Sequence, residues 1–307
     1  MKLRDSLHYF LRKCNVNQLS INTIINYEHH LNPYVKFIEN LLGDDVEVED
    51  ITEEHNLLYL EQIPKDYSKS TIRSRYTYLK IFFKTLFECE IIHKNPVKTI
   101  KVPRKQRTII YAFNRNEIQE ILSMFDKSDF IGFRNYVIFS LFFGTGIRRG
   151  ELIGLMLQDI NIELDYIRVM GKGSKERYVP IGETLKKVLT IYLRRRKAFL
   201  EQKGYNAIQY VFIARDGKKL TDRGVNCLFH NIRDSKRQWS TRVSPHTLRH
   251  TFAKFFLLNG GDVFTLQKIL GHNDISTTRV YVDLNDQEVK MQNHKYNPLD
   301  NPRWQYY

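Results

Sequence analysis

Cysteine is scarce in this chain. The 307 residues include three, Cys14, Cys89 and Cys227, all far apart in sequence. They form no CxxC pair and no Cys/His spacing suited to a metal, so neither a disulfide framework nor a zinc module is indicated. Long apolar runs are missing too. The N-terminus has no unbroken apolar stretch of the signal-peptide kind, and no segment approaches the ~20 apolar residues of a membrane span. Leu141-Phe142-Phe143 is only the end of a short apolar helix. There is no internal repeat and no low-complexity tract. Together these absences predict reduced thiols, a cytoplasmic location and no membrane partner.

Negative charge is also short: 34 Asp and Glu face 48 Lys and Arg, a net charge of +14. The excess is uneven. Residues 1–106 carry 16 basic against 14 acidic side chains, while residues 107–307 carry 32 against 20. A polyanion is the natural partner of the second segment, and nucleic acid is the commonest polyanion.

The length allows two domains. Residues 1–97 read as a helical domain. Leu3, Leu7, Phe10 and Leu11 mark a first amphipathic helix. Ser20 suits the N-cap of a second, with Ile21, Ile24, Ile25, Leu31, Val35 and Ile38 on or near one face and a bend at Pro33. Thr52 caps a short third helix, and Ser70 opens a fourth. The fourth carries Lys69, Arg73, Arg75 and Lys80, which are candidate contacts to a DNA backbone or else ordinary surface charge. Residues 98–110 read as a basic linker.

Residues 111–284 are mixed. Helices are expected over 116–124, over 133–143 with a stop at Gly144, over 149–157 and over the basic stretch 184–200. Two strands, 166–169 and 177–181, flank a Gly-Lys-Gly-Ser-Lys turn as a β-hairpin. A further short strand is expected over 210–213, and 221–294 reads as largely helical. Residues 285–307 form a polar tail with late aromatics.

Separated patches in this second segment carry possible chemistry. Arg148 and Glu151 are three apart and share a face if helical. His246, Arg249 and His250 lie on a helix that Ser244 or Pro245 could start. An arginine fork can donate two parallel hydrogen bonds to phosphate oxygens. The His246/His250 spacing lacks the intervening glutamate and the third ligand of a metal site, so no metal is expected. Lys172 sits in the hairpin turn, where an ammonium could donate a proton to a leaving oxygen, and Lys175 is its rival there. Lys175 and Arg177 are further candidate DNA contacts. Gly271 reads as a helix C-cap with His272 just beyond it, and Tyr281 follows nine residues later. Two arginines, histidines, a lysine and a phenol suit attack on a phosphodiester.

These stretches, TGIRRGELIGL at 145–155, GKGSKERYVPIG at 171–182, HTLRHTFA at 246–253 and LGHNDISTTRVYVD at 270–283, resemble the tyrosine recombinases, the integrase family that includes phage integrases and Xer proteins. The resemblance implies a mainly α fold with a small β-sheet, in which a helical core-binding domain and a mixed α/β catalytic domain form a C-shaped clamp on DNA. Tyr281 would attack the scissile phosphate to form a 3′-phosphotyrosyl bond. Arg148, Arg249 and His272 would stabilise the phosphorus centre, Lys172 would act as general acid and His246 as general base, and Glu151 would hold the acidic support position. No cofactor and no metal is implied. The partners implied are double-stranded DNA with inverted-repeat core sites, three further copies in a tetramer on two sites, and accessory DNA-bending or activating proteins, with a location on the nucleoid. The 285–307 tail would dock on a neighbouring protomer or pack on its own chain. Arg149-Gly150 departs from the residue-plus-serine often found in Xer proteins, whereas RRGEL is common among mobile-element integrases. The resemblance thus leaves chromosome-dimer resolution and mobile-element integration or excision both open. A type IB topoisomerase and a non-catalytic DNA-binding protein are the competing readings.

Overall fold

The computed structural model describes residues 1–64, 66–104, 111–171, 176–205, 207–235 and 237–271. The chain divides into two compact units, one ending at Thr108 and one beginning at Ile109. No helix among the described residues is long and apolar enough to cross a membrane.

The first unit is built from four helices: α1 (Leu3–Val16), α2 (Ile21–Leu42), α3 (Glu53–Glu61) and α4 (Lys69–Glu88). Hydroxyl caps start three of them. Ser20 accepts from the Thr23 N–H, Thr52 from His55 and Ser68 from Thr71, each satisfying a backbone donor that the first turn leaves open. The fourth helix therefore begins from Ser68 rather than Ser70. Leu3, Leu7 and Phe10 are buried as expected, in one core with Leu31, Tyr34, Phe82, Phe83 and Leu86. Ile21 and Ile25 are not: they stay 68% and 51% exposed. The buried face of α2 instead runs through Tyr27, Leu31, Tyr34, Val35 and Ile38, so the apolar stripe is narrower than its isoleucines suggest. Val97 and Ile100 close this core from beyond α4. Lys80 Nζ donates to the carbonyls of Ile100 at 2.6 Å and Lys98 at 3.3 Å, and Arg73 donates to that of Pro103. The first residues of the expected linker are thus anchored on α4.

The second unit follows the order α5 (Arg115–Ser123), α6 (Phe130–Thr145), α7 (Arg149–Gly154), β1 (Ile160–Asn161), β2 (Tyr166–Met170), β3 (Glu176–Pro180), α8 (Glu183–Gln202), α9 (Asp222–Arg233), α10 (Pro245–Leu258) and α11 (Val263–Leu270). The apolar α6 lies at its centre, with Val137, Ile138, Phe139, Leu141 and Phe142 buried. It packs between α8 and α10, where Leu189, Tyr192 and Leu248 belong to the same core. The three strands form an antiparallel sheet ordered β1-β2-β3, with Val169 opposite Arg177 and Ile167 opposite Val179. The two expected strands are β2 and β3; the two-residue β1 is too short to give an alternation signal.

Two expectations change in this unit. α6 continues past Gly144 to Thr145 and ends at Gly146, the residue in the left-handed conformation. Residues 210–213 do not form a strand of a sheet. Tyr210 and Ile213 make isolated bridges to Met156 and Lys219. Buried side chains take up the carbonyls there instead. Arg196 donates to the carbonyls of Ile208, Tyr210 and Val211, Arg134 to that of Ile213, and the Tyr192 hydroxyl to that of Val211. Arg196 belongs to the basic run on α8, yet it is a core residue.

Candidate active site

Three helix ends meet at the site. The first is the C-terminus of α6. Gly146 has φ +62°, and a Cβ there would lie 2.5 Å from Phe252 Cδ1 and 2.8 Å from Leu270 Cδ2. Only glycine meets both the conformation and the close approach. The turn delivers Arg148 to the N-cap of α7. Glu151, at the third helical position, reaches back so that its Oε2 accepts from the Arg148 backbone N–H at 2.8 Å. Its Oε1 accepts from the Arg148 guanidinium at 2.9 Å. Arg148 and Glu151 are thus paired across the N-cap of α7, and the carboxylate fixes both the backbone and the side chain of the arginine. Neighbouring Arg149 turns elsewhere, to Asn226 at 2.6 Å and Asp222 at 2.8 Å on α9.

The second end is the start of α10. Ser244 caps it by accepting from the Thr247 N–H, and Pro245 occupies the first turn. His246 is exposed in that turn, whereas Arg249 and His250, one turn on, are buried. The two histidines thus sit in different environments. Among the described residues no cluster of three or more His, Cys, Asp or Glu is arranged to hold a metal.

The third end is the C-terminus of α11, where Gly271 is left-handed with φ +63°. The last turn of a helix leaves carbonyls without intrahelical partners and carries the negative end of the helix dipole. Here three consecutive carbonyls each receive an arginine. Arg177 Nε donates to Ile269 at 2.8 Å, Arg249 Nη2 to Leu270 at 2.6 Å, and Arg148 Nη2 to Gly271 at 3.3 Å. Arg249 Nη1 also donates to the Gly146 carbonyl at 2.6 Å. One guanidinium therefore joins the ends of α6 and α11. The geometry brings Arg148 and Arg249 to one place, directly before His272.

Arg177, expected among the DNA-facing cations, turns inward to Glu151. Its side chain is only 11% exposed, and its Nη1 and Nη2 donate to the two Glu151 oxygens at 2.6 and 2.7 Å. A signal was available. In β3, Arg177 shares a face with buried Val179, while Glu176, Tyr178 and Pro180 point outward. The Glu151 carboxylate accepts four hydrogen bonds. Burial alone would raise its pKa, but Arg177 first and Arg148 second bring it down to about 2.

In the first unit, Lys69 is exposed at the start of α4. Arg73 and Lys80 are bound to the carbonyls named above, and Arg75 donates to the Tyr59 hydroxyl at 3.1 Å and lies over the Tyr67 ring. These three cations are at least partly structural. Lys172, Lys175, His272 and Tyr281 lie outside the described residues.

Two family models match the chain. The phage integrase family matches residues 112–288, and its N-terminal SAM-like domain matches residues 7–93. The chain belongs to the phage integrase family. It is a tyrosine recombinase, a site-specific DNA recombinase by class. It is 31% identical over 295 residues to tyrosine recombinase XerC of Bacillus pumilus, an alignment covering 95% of this chain and 96% of that one. To tyrosine recombinase XerD of Listeria innocua it is 29% identical over 299 residues, covering 96% and 97%. The Tn1549 transposon integrase, solved in complex with transposon right end DNA, shares the recombinase fold. Its TM-score is 0.73 at 19% identity, over 96% of this chain and 99% of that one.

Proposed function

We propose that this recombinase cleaves DNA by attack of the Tyr281 hydroxyl on a scissile phosphate, leaving a 3′-phosphotyrosyl bond and a 5′-hydroxyl. The observation that carries the reading is the convergence of Arg148 and Arg249 on the carbonyls of Gly271 and Leu270. Two guanidinium groups held beside the start of the 272–281 segment suit the charge that builds on a pentavalent phosphorus. Arg148, Arg249 and His272 stabilise that charge, and Glu151 orients Arg148. His246 takes the phenol proton, and Lys172 gives a proton to the departing 5′-oxygen. The phosphotyrosine conserves the phosphodiester bond energy, so rejoining needs neither metal nor nucleotide. Exposed Lys69, together with Lys175, supplies DNA-backbone charge.

The assembly proposed is a tetramer on two inverted-repeat core sites. It exchanges one strand pair through a Holliday junction and then the other, with accessory DNA-bending or activating proteins where a site requires them. The domain plan is a core-binding unit over 1–97, a linker over 98–110, a catalytic unit over 111–284 and a docking tail over 285–307. The setting is the nucleoid, in dimer resolution or in movement of a mobile element.

The test begins by incubating the protein with nicked, fragmented DNA from its source. The reaction is stopped with SDS, and the ends of protein-linked DNA are sequenced, with Tyr281→Phe as control. Discrete junctions flanked by inverted repeats, absent in the control, are the expected result. Adducts scattered without a shared sequence would point to a type IB topoisomerase. Absence of adducts would leave a DNA-binding protein and defeat the proposal.

A further inference from the structure

Arg177 has no part in the chemistry just described, yet every nitrogen of its guanidinium is engaged. Its Nε, Nη1 and Nη2 all donate, to the Ile269 carbonyl and to both oxygens of Glu151. Glu151 in turn holds Arg148 through its backbone N–H and its guanidinium. The three side chains form a chain of charges, positive–negative–positive, of which only the Arg148 end is substantially exposed. Arg177 is 11% exposed, Glu151 6% and Arg148 38%.

We infer that Arg177 is a positioning residue that neutralises Glu151, so that the carboxylate can orient Arg148 without cancelling the positive charge Arg148 presents to the phosphate. This rests on the recombinase reading. A lone Glu151–Arg148 pair would have no net charge, and a carboxylate 2.9 Å from the guanidinium would weaken its pull on a phosphate in a partly buried, low-dielectric site. With Arg177 present the cluster is net +1, and the excess lies at its exposed end. Arginine fits better than lysine because its planar fork matches both carboxylate oxygens at once. The low proton affinity of Glu151 is consistent, since the carboxylate stays ionised at any working pH and its charge must be balanced by other means. Arg177 also sits on β3, five residues beyond Lys172 in sequence, and bonds to the Ile269 carbonyl at the end of α11. The strand, the acid and the helix end are therefore set by one side chain.

The test uses single-turnover cleavage of a nicked duplex carrying the core site recovered from wild-type adducts, with duplex affinity measured in parallel. Arg177→Gln should slow covalent-complex formation roughly tenfold to a hundredfold, less than loss of a whole phosphate-facing donor. Affinity should stay within about threefold, because other cations carry backbone binding. The decisive variant is Glu151→Gln combined with Arg177→Gln. If Arg177 acts by balancing charge, removing that charge lifts the need for it, and the double variant should cleave at least about threefold faster than Arg177→Gln alone. A double variant no faster than the single one, or Arg177→Gln cleaving at the wild-type rate, would overturn the inference. Should Arg177→Gln lose its cooperative melt, Arg177→Lys takes its place. It keeps the charge without the fork, and must retain cleavage within about tenfold of wild type; a larger fall counts against charge balance. If wild type itself forms no adduct, the recombinase mechanism fails first, and the two failures remain distinct.

Discussion

Arg249 donates to the Leu270 carbonyl at 2.6 Å, and its other terminal nitrogen reaches the Gly146 carbonyl at the same distance. Arg249 is 4% exposed. It serves two ends at once. It satisfies carbonyls that two helices leave open, and in the mechanism proposed above it also stabilises the charge on the phosphate.

Arg249→Ala should therefore cost both stability and rate. Leaving two buried carbonyls without donors is expected to destabilise the second unit by about 2–4 kcal/mol. Covalent-complex formation should fall roughly 10²–10³-fold. Urea unfolding and SDS-resistant adducts measure the two effects separately. Unchanged stability would mean that water replaces the guanidinium on those carbonyls.

Gly146→Ala should destabilise by about 2 kcal/mol or more. It forces a left-handed residue to carry a Cβ and drives that carbon into Phe252 and Leu270. Gly150→Ala is the control. Beyond its chain neighbours and its own helix backbone nothing lies within 4 Å of its added Cβ, and it sits inside α7, so stability should hold or rise by about 0.5–1 kcal/mol. Thermal melts of the two variants side by side decide the point, and equal melts would refute it.

Glu151 should make stability depend on acid. Its folded pKa of about 2 lies below its ordinary 4.5, so its contribution is complete above pH 4.5 and is lost as pH falls from there toward 2. The whole effect is about 3 kcal/mol. Wild type should lose urea resistance between pH 5 and 3 more steeply than Glu151→Gln, with both curves flat from about pH 5 to 7 as far as this group is concerned. Parallel curves for the two proteins below pH 4.5 would contradict the pairing geometry.

Lys172→Ala should slow cleavage by roughly 10²–10⁴-fold if the ammonium protonates the departing oxygen. A substrate with a 5′-thiolate leaving group needs no such proton and should restore the rate. Failure of that rescue would assign Lys172 another task and turn attention to Lys175.

The parts of the site that could be read in the sequence are those made by neighbours in the chain. Ser244 and Pro245 begin α10, Gly271 ends α11, and Arg148 with Glu151 closes a turn three residues long; each depends on local backbone rules. Charge was read less well, because a list of cations does not say what they bind. Arg177 meets Ile269, and Arg196 meets Tyr210 and Val211, through main-chain carbonyls that have no identity in a sequence. Lys80 and Arg73 are hidden in the same way on α4. The exposed Ile21 and Ile25 show the converse. An apolar side chain near a helix start need not face the core when the tyrosines and leucines further along already fill it.

Residues 269–271 meet their three arginines only through carbonyl oxygens, and this bears on how the chain can diverge. Ile269 and Leu270 are constrained by the core they fill, and Gly271 by its left-handed turn and by Arg177 Cδ lying 2.8 Å from where a Cβ would be. None is constrained by the identity of the guanidinium it accepts. Ile269 and Leu270 can exchange for other apolar residues of similar volume over evolutionary time while the electrostatic contacts persist unchanged. The arginines have no such latitude, since each is tied to a fixed oxygen. In a set of divergent relatives, the selective record of this contact should therefore be one-sided: invariant on the donor strand and helices, and drifting within apolar types on the acceptor turn.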